Sequence, residues 1–373
     1  MSAEAAVGVE PAPDRGGERG VSPREPVAGG AGPSQGPGLI DPQARVIDYL
    51  RVSVTDRCNY GCVYCIPADG VTHVERADVL SFEEIAALVR VFASLGVRRV
   101  RLTGGEPTAR RDLVVLVRLL RAIPGIDDLA LSTNGHLLPE LAAPLRAAGV
   151  DRLNISVDSL DPERFRRITR RGDLARVLAG IDAARAAGFA SIKLNTVAIR
   201  GGNDDELDRI CAWAWERDLL PRFIEEMPMA DGRAYQPGAQ VAAAEIRDHI
   251  AAGWPGARVV AEEPDRARGA GPARYFRLDD GGAAVDARRF GIISPMTEHF
   301  CTTCNRLRLS TSGALHACLA FDDAVDLRGP LRAAGAEAVV RAIRGALAAK
   351  RPGHTFQLIG LGGPRKAMVQ IGG

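Results

Sequence analysis

The run LRVSVTDRCNYGCVYC (residues 50–65) decides how the rest of the chain is read. Its first six residues are β-rich. Three cysteines then follow within eight residues, Cys58, Cys62 and Cys65, spaced C-x3-C-x2-C. Thiolates at such spacing bind zinc or an iron-sulfur cluster, and spacing alone leaves both open. A structural zinc site closes its shell with four ligands, whereas a cubane of four irons held by three cysteines leaves one iron free for another ligand. His73, eight residues past Cys65 in a polar loop, is the one nearby side chain that could complete a set of four; a solvated surface histidine is the simpler account of it.

Outward from that run the chain alternates β-rich and helical stretches as far as Met227. Strands are expected at LRVSVT (50–55), RRVRLT (98–103), DLALST (128–133), RLNISVD (152–158), SIKLNTVAI (191–199) and RFIEEM (222–227). Between the first two, Ser81 and Glu84 form a capping-box pattern ahead of Phe82, Ile85, Leu88, Val89, Phe92 and Leu95, and Gly96 ends the run. A second amphipathic helix spans 174–187, stopped by Gly188. Strands alternating with helices imply a parallel sheet. Six units are too few for a closed eight-fold barrel, so the expected fold is α/β: a partial, open (β/α)6 parallel barrel followed by a smaller C-terminal α+β region. Such barrels carry ligands at the C-terminal ends of their strands. The cysteines, TGGEP (103–107), STNG (132–135), the SVD of 156–158, Asn195 and Met227 all fall there.

After Met227 the rhythm breaks. A helix is expected around 242–252, an exposed loop at EEPDRARGAGPAR (262–274), short strands after it, and a helix near 331–350. The boundaries expected are a Gly/Pro-rich tail over 1–44, a core barrel over 45–230 and a C-terminal region over 231–373. The tail reading rests on nine glycines and six prolines in the first 40 residues, with almost no large apolar side chain to bury.

Composition narrows the function classes. With 48 Lys and Arg against 46 Asp and Glu, the net charge of +2 gives no general reason to expect nucleic acid or membrane, so an anion site requires local clustering of arginines. No apolar run is long enough for a transmembrane helix, and the first residues lack the apolar stretch of a secretory signal. A cytoplasmic protein is expected, where cysteines seldom form disulfides. Cys211 shares a helical face with Leu207, Ile210 and Ala214 and reads as an inert core thiol.

Cys301, Cys304 and Cys318 make a second triplet in CTTCNRLRLSTSGALHAC. Between its ligands Arg306 and Arg308 sit at alternate positions of a β-like stretch, so both face one side and can clamp phosphate oxygens. His316 keeps a four-ligand zinc knuckle open at this point.

The cysteine run after strand one, joined to GGEP at the next strand end, resembles the radical S-adenosylmethionine superfamily. LRVSVTDRCNYGCVYC, VRLTGGEP, NISVDSLD, KLNTV, RFIEEM, FCTTCNRLRLSTSG and the final QIGG together resemble the GTP 3′,8-cyclase family of molybdenum cofactor biosynthesis. The likeness covers residues 48–373. It implies a 4Fe-4S cluster on Cys58, Cys62 and Cys65, with S-adenosyl-L-methionine lined by Tyr64, Gly105, Ser156 and Met227. A second 4Fe-4S cluster on Cys301, Cys304 and Cys318 would bind guanine. GTP contacts would come from Arg51, Arg101, Ser132, Lys193, Arg306 and Arg308, with Ser132 where the family more often has threonine. Gly372 and Gly373 would reach into the active site.

The implied reaction converts GTP to (8S)-3′,8-cyclo-7,8-dihydroguanosine 5′-triphosphate, by hydrogen removal from ribose C3′ and closure onto guanine C8. A flavodoxin- or ferredoxin-type electron donor is implied. A homodimer, and transfer of product to cyclic pyranopterin monophosphate synthase, stay open. So do two other readings. One is a radical enzyme acting on a peptide, which would generally carry more C-terminal cysteines. The other is a zinc-ribbon module using its arginines for nucleic acid, which the barrel pattern disfavours.

Overall fold

The computed structural model describes residues 38–263, 271–279, 281 and 288–372. Its order is β1 (Tyr49–Ser53), α1 (Phe82–Ser94), β2 (Arg99–Thr103), α2 (Leu113–Arg121), β3 (Asp128–Thr133), α3 (Leu138–Ala148), β4 (Arg152–Ser156), α4 (Pro162–Thr169), α5 (Leu174–Ala186), β5 (Ile192–Ala198), α6 (Leu207–Trp215) and β6 (Leu220–Glu225). There follow α7 (Ala243–Ala252), β7 (Arg258–Ala261), β8 (Arg274–Asp279), β9 (Arg289–Ile293), β10 (Arg306–Leu309), β11 (Ala314–His316), β12 (Val325–Asp326) and α8 (Arg328–Ala348).

All six expected strands form, and α1 begins where its capping box lies. Ser81 Oγ accepts the Glu84 N–H, and Glu84 returns a carboxylate oxygen to the Ser81 N–H, an exchange worth about 1 kcal/mol. The expected tail falls, for 1–37, outside the described residues. Within 38–44, Leu39 is buried and Asp41 pairs with Arg45. The loop expected at 262–274 lies largely outside the described residues.

One open sheet of twelve strands runs β12-β11-β10-β1-β2-β3-β4-β5-β6-β9-β8-β7. The six expected units form its middle. The C-terminal region is continuous with them: β10 pairs in parallel with β1, and β9 in parallel with β6. Eight neighbouring strands are therefore parallel, and short antiparallel strands finish both edges.

Parallel sheets usually bury apolar side chains on both faces. Here only one face is apolar. Leu50, Val52, Val100, Leu102, Leu129, Leu131, Leu153, Ile155, Leu307 and Leu309 are wholly buried in the main core that strands and helices share. A second cluster, including Phe223, Ile246 and Phe290, packs β6 and β9 against α6 and α7. The alternate residues are polar: Arg51 and Ser53, Arg101 and Thr103, Ser132, Asn154 and Ser156, Lys193 and Asn195, Arg222, Arg306 and Arg308. All of these except Ser53 and Lys193 line a cavity of about 330 Å³. An alternation that would be wasteful in a solid core builds a polar lumen.

Candidate active site

The first cysteine triplet lies on the loop after β1, and three neighbouring strand ends hold that loop. From the end of β2, Gly105 donates to Thr55 O at 2.7 Å and Glu106 donates to Arg57 O at 2.8 Å. A Cβ on Gly104 would meet Thr55 O at 2.2 Å, and one on Gly105 would meet Arg57 O at 2.3 Å. These glycines thus admit the chain's own cysteine loop at distances that a side chain would block. Glu106 is buried and takes four donors: the Thr108 N–H (3.0 Å), the Thr108 and Thr133 hydroxyls (2.6 and 2.7 Å) and the Asn134 N–H (2.7 Å). From the end of β3, Asn134 Nδ2 donates to Asn59 Oδ1 at 2.8 Å. From the end of β4, Asp158 accepts the Tyr64 hydroxyl at 2.6 Å.

The cysteines are half-buried and free. Burial pushes the Cys58 thiol up to about 11, Cys65 to about 12, and Cys62 well above its ordinary range. A thiolate at any of them needs a bound cation to persist, which is the requirement of a metal-cluster ligand. Gly105, Tyr64, Ser156 and Met227 line the same cavity as these cysteines.

The second triplet lies across the same cavity, around the start of β10, and it is held differently. Arg45 Nη1 donates to Cys301 O at 2.7 Å and Pro352 O at 2.9 Å. Lys350 Nζ reaches Ala317 O, Arg306 O (3.2 Å) and the Cys304 sulfur (3.9 Å). Burial opposes a thiolate at Cys304, yet Arg306 and Lys350 outweigh it and bring the thiol down to about 7.

Neither histidine weighed as a fourth ligand joins a triplet. His73 is exposed and pairs with Asp56 at 3.3 Å. His316 is fully buried, and both its ring nitrogens lack partners among the described residues. Among the described residues no three His, Cys, Asp or Glu side chains are arranged to share one metal ion. A cluster of several irons needs no such convergence, because each thiolate meets its own iron.

Between the triplets stands a wall of cations. Register sets Arg51 beside Arg308 on one side and Arg101 on the other. Arg101 donates to Ser132 Oγ at 3.3 Å and to the Tyr49 hydroxyl. Lys193 Nζ donates to Tyr275 at 3.3 Å. Arg222, which sequence reading passed over, adds a buried guanidinium that donates to Asn195 Oδ1 at 2.6 Å. Its period-2 position on β6 was the available signal. Burial, then the neighbouring Arg306, lowers Arg308 to about 10; burial and Arg308 push Arg51 well down. Among the described residues no carboxylate pairs with Arg101, Lys193, Arg222, Arg306 or Arg308. So much positive charge, withdrawn from water and crowded together, is stabilised by a polyanion. The Gly372 carbonyl already enters this wall, accepting from Arg308 at 2.7 Å and Arg51 at 3.2 Å. Gly373 lies outside the described residues.

The model of the Radical SAM superfamily matches residues 52–214, and that of Molybdenum Cofactor Synthesis C matches 220–356. The chain is 46% identical over 336 residues to the GTP 3′,8-cyclase of Pelotomaculum thermopropionicum, covering 90% of this chain and 100% of the relative. It is 46% identical over 339 residues to that of Moorella thermoacetica, with the same coverage. To that of Pseudomonas putida it is 45% identical over 325 residues, covering 86% of this chain and 94% of the relative.

Proposed function

The chain belongs to the GTP 3′,8-cyclase family of radical S-adenosylmethionine enzymes, and from that premise we propose how its own residues carry the reaction. It catalyses the radical cyclisation of GTP in molybdenum cofactor biosynthesis, using S-adenosylmethionine and an iron-sulfur cluster. In our reading Cys58, Cys62 and Cys65 hold that cluster, and Tyr64, Gly105, Ser156 and Met227 line the S-adenosylmethionine pocket. Cys301, Cys304 and Cys318 hold a second 4Fe-4S cluster that binds guanine. Both donor sets fit: each offers three thiols at one cavity, and the first set is buried enough to need a bound cation. Bound together, cluster and S-adenosylmethionine supply the one-electron chemistry that removes hydrogen from ribose C3′.

The observation that carries the substrate reading is the cationic wall between the triplets. Arg51, Arg101, Lys193, Arg222, Arg306 and Arg308 bind the triphosphate, and Ser132 offers a hydroxyl among them. Anchoring the phosphates on one side and guanine on the other leaves the ribose spanning the cavity, so that C3′ is presented in a fixed place. Burial of the wall keeps water from competing for the phosphates and from quenching a radical. Gly372, with Gly373 beyond it, extends the chain into the same space.

We place the protein in the cytoplasm; among the described residues no helix is long and apolar enough to cross a membrane. A flavodoxin- or ferredoxin-type protein would deliver the electron, and cyclic pyranopterin monophosphate synthase would consume the product. A homodimer is tested by sedimentation.

The deciding experiment is anaerobic reconstitution followed by reductant, S-adenosylmethionine and GTP. GTP should be consumed as 5′-deoxyadenosine forms, and formation of 5′-deoxyadenosine without loss of GTP refutes the cyclase reading. Arg308→Ala should weaken GTP binding at least ~10-fold while uncoupled cleavage of S-adenosylmethionine persists.

A further inference from the structure

Three buried carboxylates at the strand ends are fully occupied. Glu106 takes four donors. Asp158 takes the Tyr64 hydroxyl and the Val197 N–H. Glu225 also borders the cavity, but its carboxylate is taken up by the N–H groups of Ala243, Met296 and Thr297 and by the Thr297 hydroxyl. Glu226 is the exception.

Continuing the alternation of Arg222 and Ile224, its side chain turns inward and lines the cavity, only 4% exposed. Its Oε2 is buried and has no partner among the described residues. Burial alone, with no cation to offset it, pushes the carboxyl up to about 7. A buried acceptor left unpaired costs about 1–3 kcal/mol. That cost is recovered only when something entering the cavity brings donors.

Of the groups that enter under the proposed function, a triphosphate and a methionine carboxylate are anions without a suitable donor, guanine is assigned above to the second triplet, and the methionine and adenine amines each offer one nitrogen donor. A ribose carries two adjacent hydroxyls that can both donate to one carboxylate, and acidic side chains recognise ribose in this way in dinucleotide sites. Glu226 lies four residues beyond Arg222, roughly 13 Å along an extended strand. It is thus removed from Arg222 along the strand direction and adjoins Met227, which the proposed function assigns to the S-adenosylmethionine pocket.

Resting on the function proposed above, we propose that Glu226 is a ligand-binding residue that receives the 2′- and 3′-hydroxyls of a nucleoside ribose, in first place that of S-adenosylmethionine.

The test uses the full chain, reconstituted anaerobically. Equilibrium dialysis compares S-adenosylmethionine, its 2′-deoxy analogue, GTP and 2′-deoxy-GTP on wild type, Glu226→Leu and Glu226→Gln. The expected result is at least ~10-fold weaker binding of S-adenosylmethionine to Glu226→Leu, with GTP changed less than ~2-fold. Removing the 2′-hydroxyl should weaken binding to wild type by a similar factor and cost nothing further in the variant. The ligand-free variant should melt no lower than wild type, since it loses an unpaired carboxyl; a purely structural glutamate would give a lower midpoint. Glu226→Gln keeps the size and an acceptor, and should lie between the two if Glu226→Leu loads iron poorly.

The same coupling seen with the GTP pair instead supports the ribose contact and assigns it to GTP. Wild-type affinity of Glu226→Leu and Glu226→Gln for both nucleosides, or hydroxyl losses that simply add, overturns the inference and leaves the cyclase reading standing. A wild-type chain that binds neither nucleoside overturns both.

Discussion

Replacing Arg45 with alanine should cost the protein about 3–5 kcal/mol of stability and the second set of irons proposed above. Arg45 lies just before β1, yet it reaches 256 residues along the chain to Cys301 O at 2.7 Å. The same guanidinium donates to Pro352 O and Arg351 O, each at 2.9 Å, to Gln43 Oε1 at 2.8 Å and to Asp41 at 2.5 Å. Its side chain is 7% exposed, and that of Asp41 is fully buried. Truncation leaves Asp41 as a buried carboxylate without its cation, a change that by itself costs about 3–5 kcal/mol. Three carbonyls also lose a charged donor, at about 1.5–3 kcal/mol each before water enters. These losses share one guanidinium and do not add, so about 3–5 kcal/mol stands for the whole.

Urea unfolding of the cluster-free chain, followed by circular dichroism, measures the first quantity. Iron analysis after anaerobic reconstitution measures the second, which should fall from about eight to about four per chain. Pairing Arg45→Met with Asp41→Asn should recover part of the stability, because no charge is then left buried alone. An Arg45→Ala chain within about 1 kcal/mol of wild type that still loads both sets of irons would refute the reasoning.

Gly105→Ala places a Cβ 2.3 Å from Arg57 O and must part β2 from the cysteine loop; 5′-deoxyadenosine formation should fall about 100-fold, with iron lost from the first triplet. Lys350→Met removes one of two cations that hold Cys304 at about 7; in cluster-free protein the alkylation profile of that thiol should move up by about one pH unit. Asp158 is raised from 3.8 to about 6, by burial first. The folded chain therefore holds this proton more tightly than the unfolded one. The associated stability is complete below about pH 4 and is lost as pH rises through about 6, an effect of about 3 kcal/mol. Asp158→Asn should lack that slope, so the stability difference between variant and wild type should shift in the variant's favour from pH 4 to 6. A constant difference would show that Asp158 does not titrate there.

Much of the frame was legible because the relevant forces act between near neighbours. β3 occupies the expected 128–133, and α1 starts at the capping box written by Ser81 and Glu84. The cysteine triplets and the paired Arg306 and Arg308 could be read from spacing, since alternate residues of a strand share a face. Less accessible was how the C-terminal region meets the barrel. Sequence suggests a smaller region following six units, whereas β9 and β10 extend the same parallel sheet at opposite edges. Strand pairing across some 250 residues leaves no local trace. Glu106 illustrates the same limit within a motif: GGEP can be recognised, but not that its carboxylate binds the end of β3 while its N–H holds the cysteine loop.

By itself, then, the sequence determined the elements, the polar alternation along the strands, the two cysteine triplets and the family resemblance. Each depends on periods of two or three to four residues, or on motifs a few residues long. Only the tertiary structure decided which charges became neighbours. Arg51 lies between Arg101 and Arg308 because parallel register aligns β1 with β2 and with β10, and the resulting crowding of buried cations appears in no single segment. It likewise left Glu226 without a donor while Glu225, one residue earlier, was filled. The start of α7 and the turn after β9 bring four donors to Glu225, whereas among the described residues no donor reaches the buried Oε2 of Glu226.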